Sequence, residues 1–193
     1  MIKLATMEIK YQGQQTIILK SKKENVVIDP QKNGTQLDSR IIVFTDKELN
    51  YFGLNEEKVI IAGPGEYEIG GVEIKGFKVG DKKLMYVIEN EGLIIGVLGE
   101  IEEMLEEKQI EKINGIDVLI VNIDECKIKG KMFLDLAKKW GANYLIPVGY
   151  KKDGDSLKKF LDEVDEEGLE AVESLKIDRD NLPDGLEVII LQC

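Results

Sequence analysis

Apolar and polar residues take turns along KLATMEIKYQ, the period of a strand with one buried face. QTIILK and NVVIDP flank the polar turn SKKEN and predict a hairpin. KNGTQLDS reads as a loop, and RIIVFT and KVIIAG are short continuous apolar runs of the buried-strand type. GEYEI and VEIKGF alternate on either side of Gly70-Gly71, a two-residue hairpin signal. LMYVIE and LIIGVLG repeat the scheme, with the turn at Gly92.

In the second half the period lengthens. EEMLEEKQIEKING carries apolar residues at Met104, Leu105, Ile110 and Ile113 and predicts a helix stopped by Gly115. DVLIVN is a buried strand. KMFLDLAKKWG is an amphipathic helix closed by Gly141, with Trp140 in the core. NYLIPVGY is a strand, DSLKKFLDEVDEEG a helix with Asp155 or Ser156 as N-cap, and LEVIILQ a closing strand. The acidic run DEVDEEGLE reads as a solvated helix face and its following turn. With no fixed-period repeat and no linker, residues 1–193 are expected to form a single domain. Hairpins followed by strand-helix alternation predict an α+β or α/β layered fold.

Composition narrows the function classes. A chain of 193 residues, 43% apolar and 33% charged, is expected to be globular, and no apolar run approaches the roughly 18–20 residues that span a bilayer. The start, MIKLATMEIKYQG, lacks a signal core, and Cys126 and Cys193 make no disulfide framework; a cytoplasmic location is expected. The net charge of −11, with Arg40 and Arg179 the two arginines, argues against nucleic acid. The chain has no histidine. That removes Ser-His-Asp and Cys-His catalysis and histidine-ligated metals together. Cys126 therefore reads as a plain thiol, having no histidine to activate it. GPGEYEIGG reads as a structural turn, because a strand follows it where a phosphate cradle needs a helix.

IIVFTDKELNYF is a buried strand running into polar side chains, a common way to build a metal or catalytic site. Its surroundings resemble the metallo-β-lactamase superfamily, in particular small bacterial and archaeal hydrolase-like members. YQGQQTIILKSKKENVVIDP has the family's opening strand and hairpin frame, with Gly13, Asp29 and Pro30 kept. IIVFTDKELNY keeps Thr45 of the family's Thr-His-x-His-x-Asp-His and loses the rest. GPGEYEIGGVEIKG looks like a segment of this branch. LIIGVLGE sits where the family has an apolar strand ending in Gly-Asp, and LIPVGY where it has Ile-Pro-x-His-Tyr. The resemblance implies a four-layer αβ/βα sandwich with a metal site in loops at one edge of two mixed sheets.

The departures concern the metal. Asp46 and Glu48 stand where the first two histidines would be, Asn50 and Tyr51 where Asp and His would bind a second metal, Glu100 for the bridging Asp, Gly149 for the last His, and Gln14 for the His after Gly13. Asp29 corresponds to the family's buried orienting carboxylate and is expected to tie loops together. Zinc prefers nitrogen and sulfur, which this set does not offer. The expectation is a non-catalytic member without zinc, serving as a binding or interaction module toward a ligand, a protein or a second copy of itself. Two alternatives stay open. Asp46, Glu48 and Glu100 could form a carboxylate site for Mg²⁺, Mn²⁺ or Ca²⁺, or be simply a solvated loop face. Glu48 and Glu100 could serve as a metal-free acid/base pair. The cation expected near these carboxylates is Lys47, which points away from Asp46 and Glu48 if residues 46–48 are extended.

Overall fold

The structure, a computed structural model, describes residues 6–31, 38–47, 57–101, 103, 105–113, 115–124, 128–151 and 154–192. The strands are β1 (Thr6–Tyr11), β2 (Ile17–Lys20), β3 (Val26–Ile28), β4 (Ile41–Val43), β5 (Val59–Ile61), β6 (Gly65–Ile69), β7 (Val72–Lys78), β8 (Leu84–Asn90) and β9 (Leu93–Leu98). After them come α1 (Glu107–Ile110), β10 (Val118–Asn122), α2 (Gly130–Trp140), β11 (Tyr144–Val148), α3 (Asp155–Glu163), β12 (Leu175–Asp178) and β13 (Glu187–Val188).

These strands make two mixed sheets. The first runs β12-β1-β2-β3-β4-β5, and the second β13-β11-β10-β9-β8-β7-β6. In the first, β3, β4 and β5 are parallel; in the second, β9, β10, β11 and β13 are. One apolar cluster joins facing residues of both, among them Ile9, Ile28, Ile41, Ile74, Tyr86 and Val97. Every residue of β10 and β11 is buried, as expected for strands covered on one face by a sheet and on the other by helices. α2 supplies that cover: Phe133, Leu136, Ala137 and Trp140 line its buried stripe, and the Trp140 indole N–H donates to the Ile110 carbonyl at 2.9 Å. On the first sheet, Val27, Ile42 and Phe44 form a separate buried cluster with Ile18 beside it.

Both two-residue turns form. Gly70 and Gly71 have φ of 60° and 80°, the left-handed geometry a tight hairpin needs, and Glu91 and Gly92 have 55° and 74°. Gly141 ends α2 with φ of 76°.

Four local expectations need correction. The helix expected from residue 102 spans only Glu107–Ile110. The Gln109 side chain accepts the Glu106 N–H and donates to the Lys78 carbonyl, which fixes the start five residues late. α3 is preceded by Gly154, so Asp155 and Ser156 lie inside its first turn, where the Asp155 charge meets the positive end of the helix. The closing strand is two residues long; beyond it the chain leaves β11 and pairs with Val172 instead. β12, a four-residue alternation, went unassigned. No described helix is long and apolar enough to cross a membrane.

Candidate functional site

Parallel strands end together. The residues that follow β3, β4, β9, β10 and β11 meet at one edge of the sandwich and form a mouth. Thr45, Glu100 and Gly149 each follow a strand that ends at this edge.

Asp29 sits under this mouth. Its residue is 6% exposed and its φ is +46°, a left-handed conformation an aspartate adopts at some cost. Its carboxylate accepts the Thr45 backbone N–H at 2.7 Å and the Thr45 hydroxyl at 2.5 Å. Its own carbonyl accepts the Thr16 hydroxyl at 2.8 Å. Burial pushes the carboxyl up to about 7, against the pull of the two Thr45 donors, and the nearby Asp46 charge adds to the rise. Asp29 therefore ties the ends of β3 and β4 together.

Asp46 and Glu100 are brought together by a residue the sequence reading missed. The Lys83 ammonium lies 2.7 Å from Asp46 Oδ2 and 2.9 Å from Glu100 Oε2. Burial works against its charge, but the hydrogen bonds it donates to the two carboxylates outweigh it and hold Lys83 above the ordinary lysine value. The backbone joins in: Asp46 and Lys83 form an isolated antiparallel bridge, Leu84 N–H donates to Thr45 O at 2.7 Å, and Lys47 N–H to Lys82 O at 3.1 Å. The expectation that Lys47 is the neighbouring cation is thus corrected to Lys83. Beside this triad opens a cleft of about 500 Å³, lined by Asp46, Val79, Gly80, Asp81, Lys82 and Lys83.

Gly149, with φ of +86°, has no room for a side chain. A Cβ there would stand 2.1 Å from Asn122 Oδ1 and 3.1 Å from the Asp124 Cβ. Asn122 is 3% exposed and fixed by accepting the Asp124 N–H at 2.9 Å. The Gly149 N–H donates to the Tyr11 hydroxyl at 3.0 Å, and that hydroxyl donates to the Gln14 carbonyl at 2.8 Å. Gln14 contributes this carbonyl while its side chain stays exposed. Gly99 also packs tightly on Thr45: a Cβ there would lie 2.5 Å from Thr45 Oγ1. Glu48, Asn50, Tyr51 and Cys126 lie outside the described residues.

Among the described residues, the donors at the mouth do not fit the metal that the resemblance implies. Among the described residues no three His, Cys, Asp or Glu side chains converge on one point. The two carboxylates that do converge have an ammonium between them, and the position resembling the last histidine is closed by Asn122. A second cleft of about 540 Å³ lies at the far edge, with Lys22, Lys23, Glu24, Arg40 and Lys58 in its lining; it shares no residue with the mouth.

Residues 8–149 match the family model described as the beta-lactamase superfamily domain. No curated protein matches. Among solved structures, a candidate Zn-dependent hydrolase of the metallo-β-lactamase superfamily from Thermotoga maritima superposes with a TM-score of 0.81 at 25% identity, covering 96% of this chain and 98% of that one. A candidate metal-dependent hydrolase from Parabacteroides distasonis gives 0.66 at 13% identity, covering 97% and 94%. The metallo-β-lactamase fold protein YhfI from Bacillus subtilis gives 0.63 at 9%, covering 97% of each chain. The last two likenesses concern the fold alone.

Proposed function

The chain belongs to the metallo-β-lactamase superfamily, and from that premise we propose that it is a non-catalytic member whose fold serves as a binding or interaction module. The observation that carries this reading is Gly149. A metal-activated water requires an ion held by several protein ligands, and the ion's contribution would be to lower the pKa of that water to about 7. The position that resembles the family's last ligand has no side chain, and Asn122 Oδ1 sits where a Cβ would go. The absence of histidine from the chain points the same way.

The carboxylate alternatives find less support. Asp46 and Glu100 are engaged by Lys83, so neither offers a free pair of oxygens to a hard cation or to a substrate proton. The net charge of −11 supports a partner that is not nucleic acid. The test has two arms. Plasma emission spectrometry of dialysed protein should find far less than one equivalent of zinc. Ester, phosphodiester, lactone and β-lactam panels with and without Mg²⁺ or Mn²⁺ should give no turnover. Metal-dependent hydrolysis abolished by Glu100→Gln would overturn the proposal.

A further inference from the structure

Three groups from separate parts of the chain converge at the mouth. Asp46 follows β4 of the first sheet, Glu100 follows β9 of the second, and Lys83 precedes β8, also of the second. Both carboxylates approach within 3 Å of one nitrogen, at 2.7 and 2.9 Å. They are partly withdrawn from water, the Asp46 and Glu100 side chains being 18% and 36% exposed and Lys83 23%. Two carboxylates held this close repel each other unless a cation stands between them. In a metal site the ion is that cation. Here the chain brings its own.

We infer that the Lys83 ammonium does the structural work of a bound cation, pinning the end of β4 to the end of β9 across the two sheets. This rests on the reading above that the mouth holds no metal. The site is coded by the β8–β9 hairpin: Met85 pairs with Leu98, so Lys83 falls opposite Glu100. The triad gives the mouth a tether that chelators cannot remove. It also implies a latent property. Without Lys83, the two carboxylates would still be aimed at one point, and oxygen pairs of that kind take hard divalent ions.

The experiment uses the full chain and four variants, read by thermal unfolding and by electron paramagnetic resonance of Mn²⁺. Wild type is expected to keep its Tm in 1 mM EDTA and in 1 mM MnCl₂, and to bind no Mn²⁺ at the mouth. Lys83→Met should lower Tm by about 3–8 °C, the shift expected from exposing two partly buried carboxylates to each other. Mn²⁺ should restore at least half of that loss, with about one ion bound per chain. Asp46→Asn added to Lys83→Met should abolish the rescue. Lys82→Met, which removes a neighbouring charge from the same cleft, should give no Mn²⁺-dependent rise in Tm. Should Lys83→Met fail to fold, recovery of folded protein on refolding with Mn²⁺ supports the inference, and failure to fold with the ion overturns it when Lys83→Arg folds with the wild-type Tm. A wild-type Tm that rises with Mn²⁺, or a Lys83→Met Tm equal to wild type, also overturns it. Turnover by a wild-type protein whose Tm ignores Mn²⁺ would sink the proposed function and leave this inference standing; an inactive wild type beside an unperturbed Lys83→Met would do the reverse.

Discussion

Asp29→Asn tests the electrostatics under the mouth. The Asp29 carboxyl is buried, and its pKa is raised from 3.8 to about 7, first by desolvation. In the unfolded chain it ionises near the ordinary aspartate value. Between those two pKa values the folded state holds a proton that the unfolded state has lost, so stability falls as pH rises. The rise from 3.8 to about 7, at about 1.4 kcal/mol per pH unit, means the group removes about 4 kcal/mol of stability between pH 4 and pH 7 and nothing further above that. Asparagine cannot ionise, yet its carbonyl can still accept the Thr45 N–H, and its amide can donate to the Thr45 hydroxyl. The variant should match wild type within about 1 kcal/mol at pH 4 and exceed it by several kcal/mol at pH 8. Urea unfolding of both proteins across this range, plotted as a difference, cancels the contributions of all other carboxylates. A flat difference curve, or one that favours wild type increasingly as pH rises, would refute the argument that burial outweighs the two Thr45 donors.

Gly149→Ala should cost about 2–4 kcal/mol, from the left-handed φ and the overlap with Asn122. In an Asn122→Ala background the cost should fall by at least about 1 kcal/mol, measured as a double-mutant cycle. Glu163→Ala should lower stability by about 1 kcal/mol, because the Glu163 carboxylate accepts the N–H of Gly130 at the start of α2, where Lys129 offers no side-chain cap; Glu163→Gln should recover most of it. Arg179→Ala should cost about 1–3 kcal/mol, since it strips the cation from the 8%-exposed Asp117 carboxylate, which also accepts the Ile94 N–H at 2.7 Å. Chemical unfolding at pH 7 checks each.

The sheets were legible because their strands are local and strongly patterned: GEYEIGGVEIKGF states its turn in its glycines, and DVLIVN states its burial in its unbroken apolar run. The expectation that Thr45, Glu100 and Gly149 share one edge came from the order of family-like motifs. Lys83 was missed because it looks like one of two turn lysines in DKKLMYV, 37 residues from one partner and 17 from the other. The signal was nonetheless present. Counting outward from the Glu91-Gly92 turn, with Asn90 opposite Leu93 and Met85 opposite Leu98, sets Lys83 against Glu100. Asn122 had no such signal. Its contact with Gly149 follows from the parallel pairing of the last residue of β10 with Val148 at the end of β11, a non-local fact that no local pattern carries. The short α1 shows the opposite failure: periodicity suggested a long helix, and the Gln109 side chain, bonded to Glu106 and Lys78, decided its start.

The contact between Gly149 and Asn122 also restricts the paths open to this chain in sequence space. A histidine placed at 149 would meet both the +86° backbone angle and Asn122 Oδ1, so that step alone damages the fold before any ligand is gained. Changing Asn122 first removes the acceptor for the Asp124 N–H and gives nothing in return, and Lys83 would still stand between the carboxylates. First steps at 149 and at 122 therefore both go uphill, whereas Asp81 lies on an exposed rim where a side-chain change meets no such overlap. The geometry works as a ratchet: drift at this edge alters the exposed rim far more readily than it places a histidine at 149.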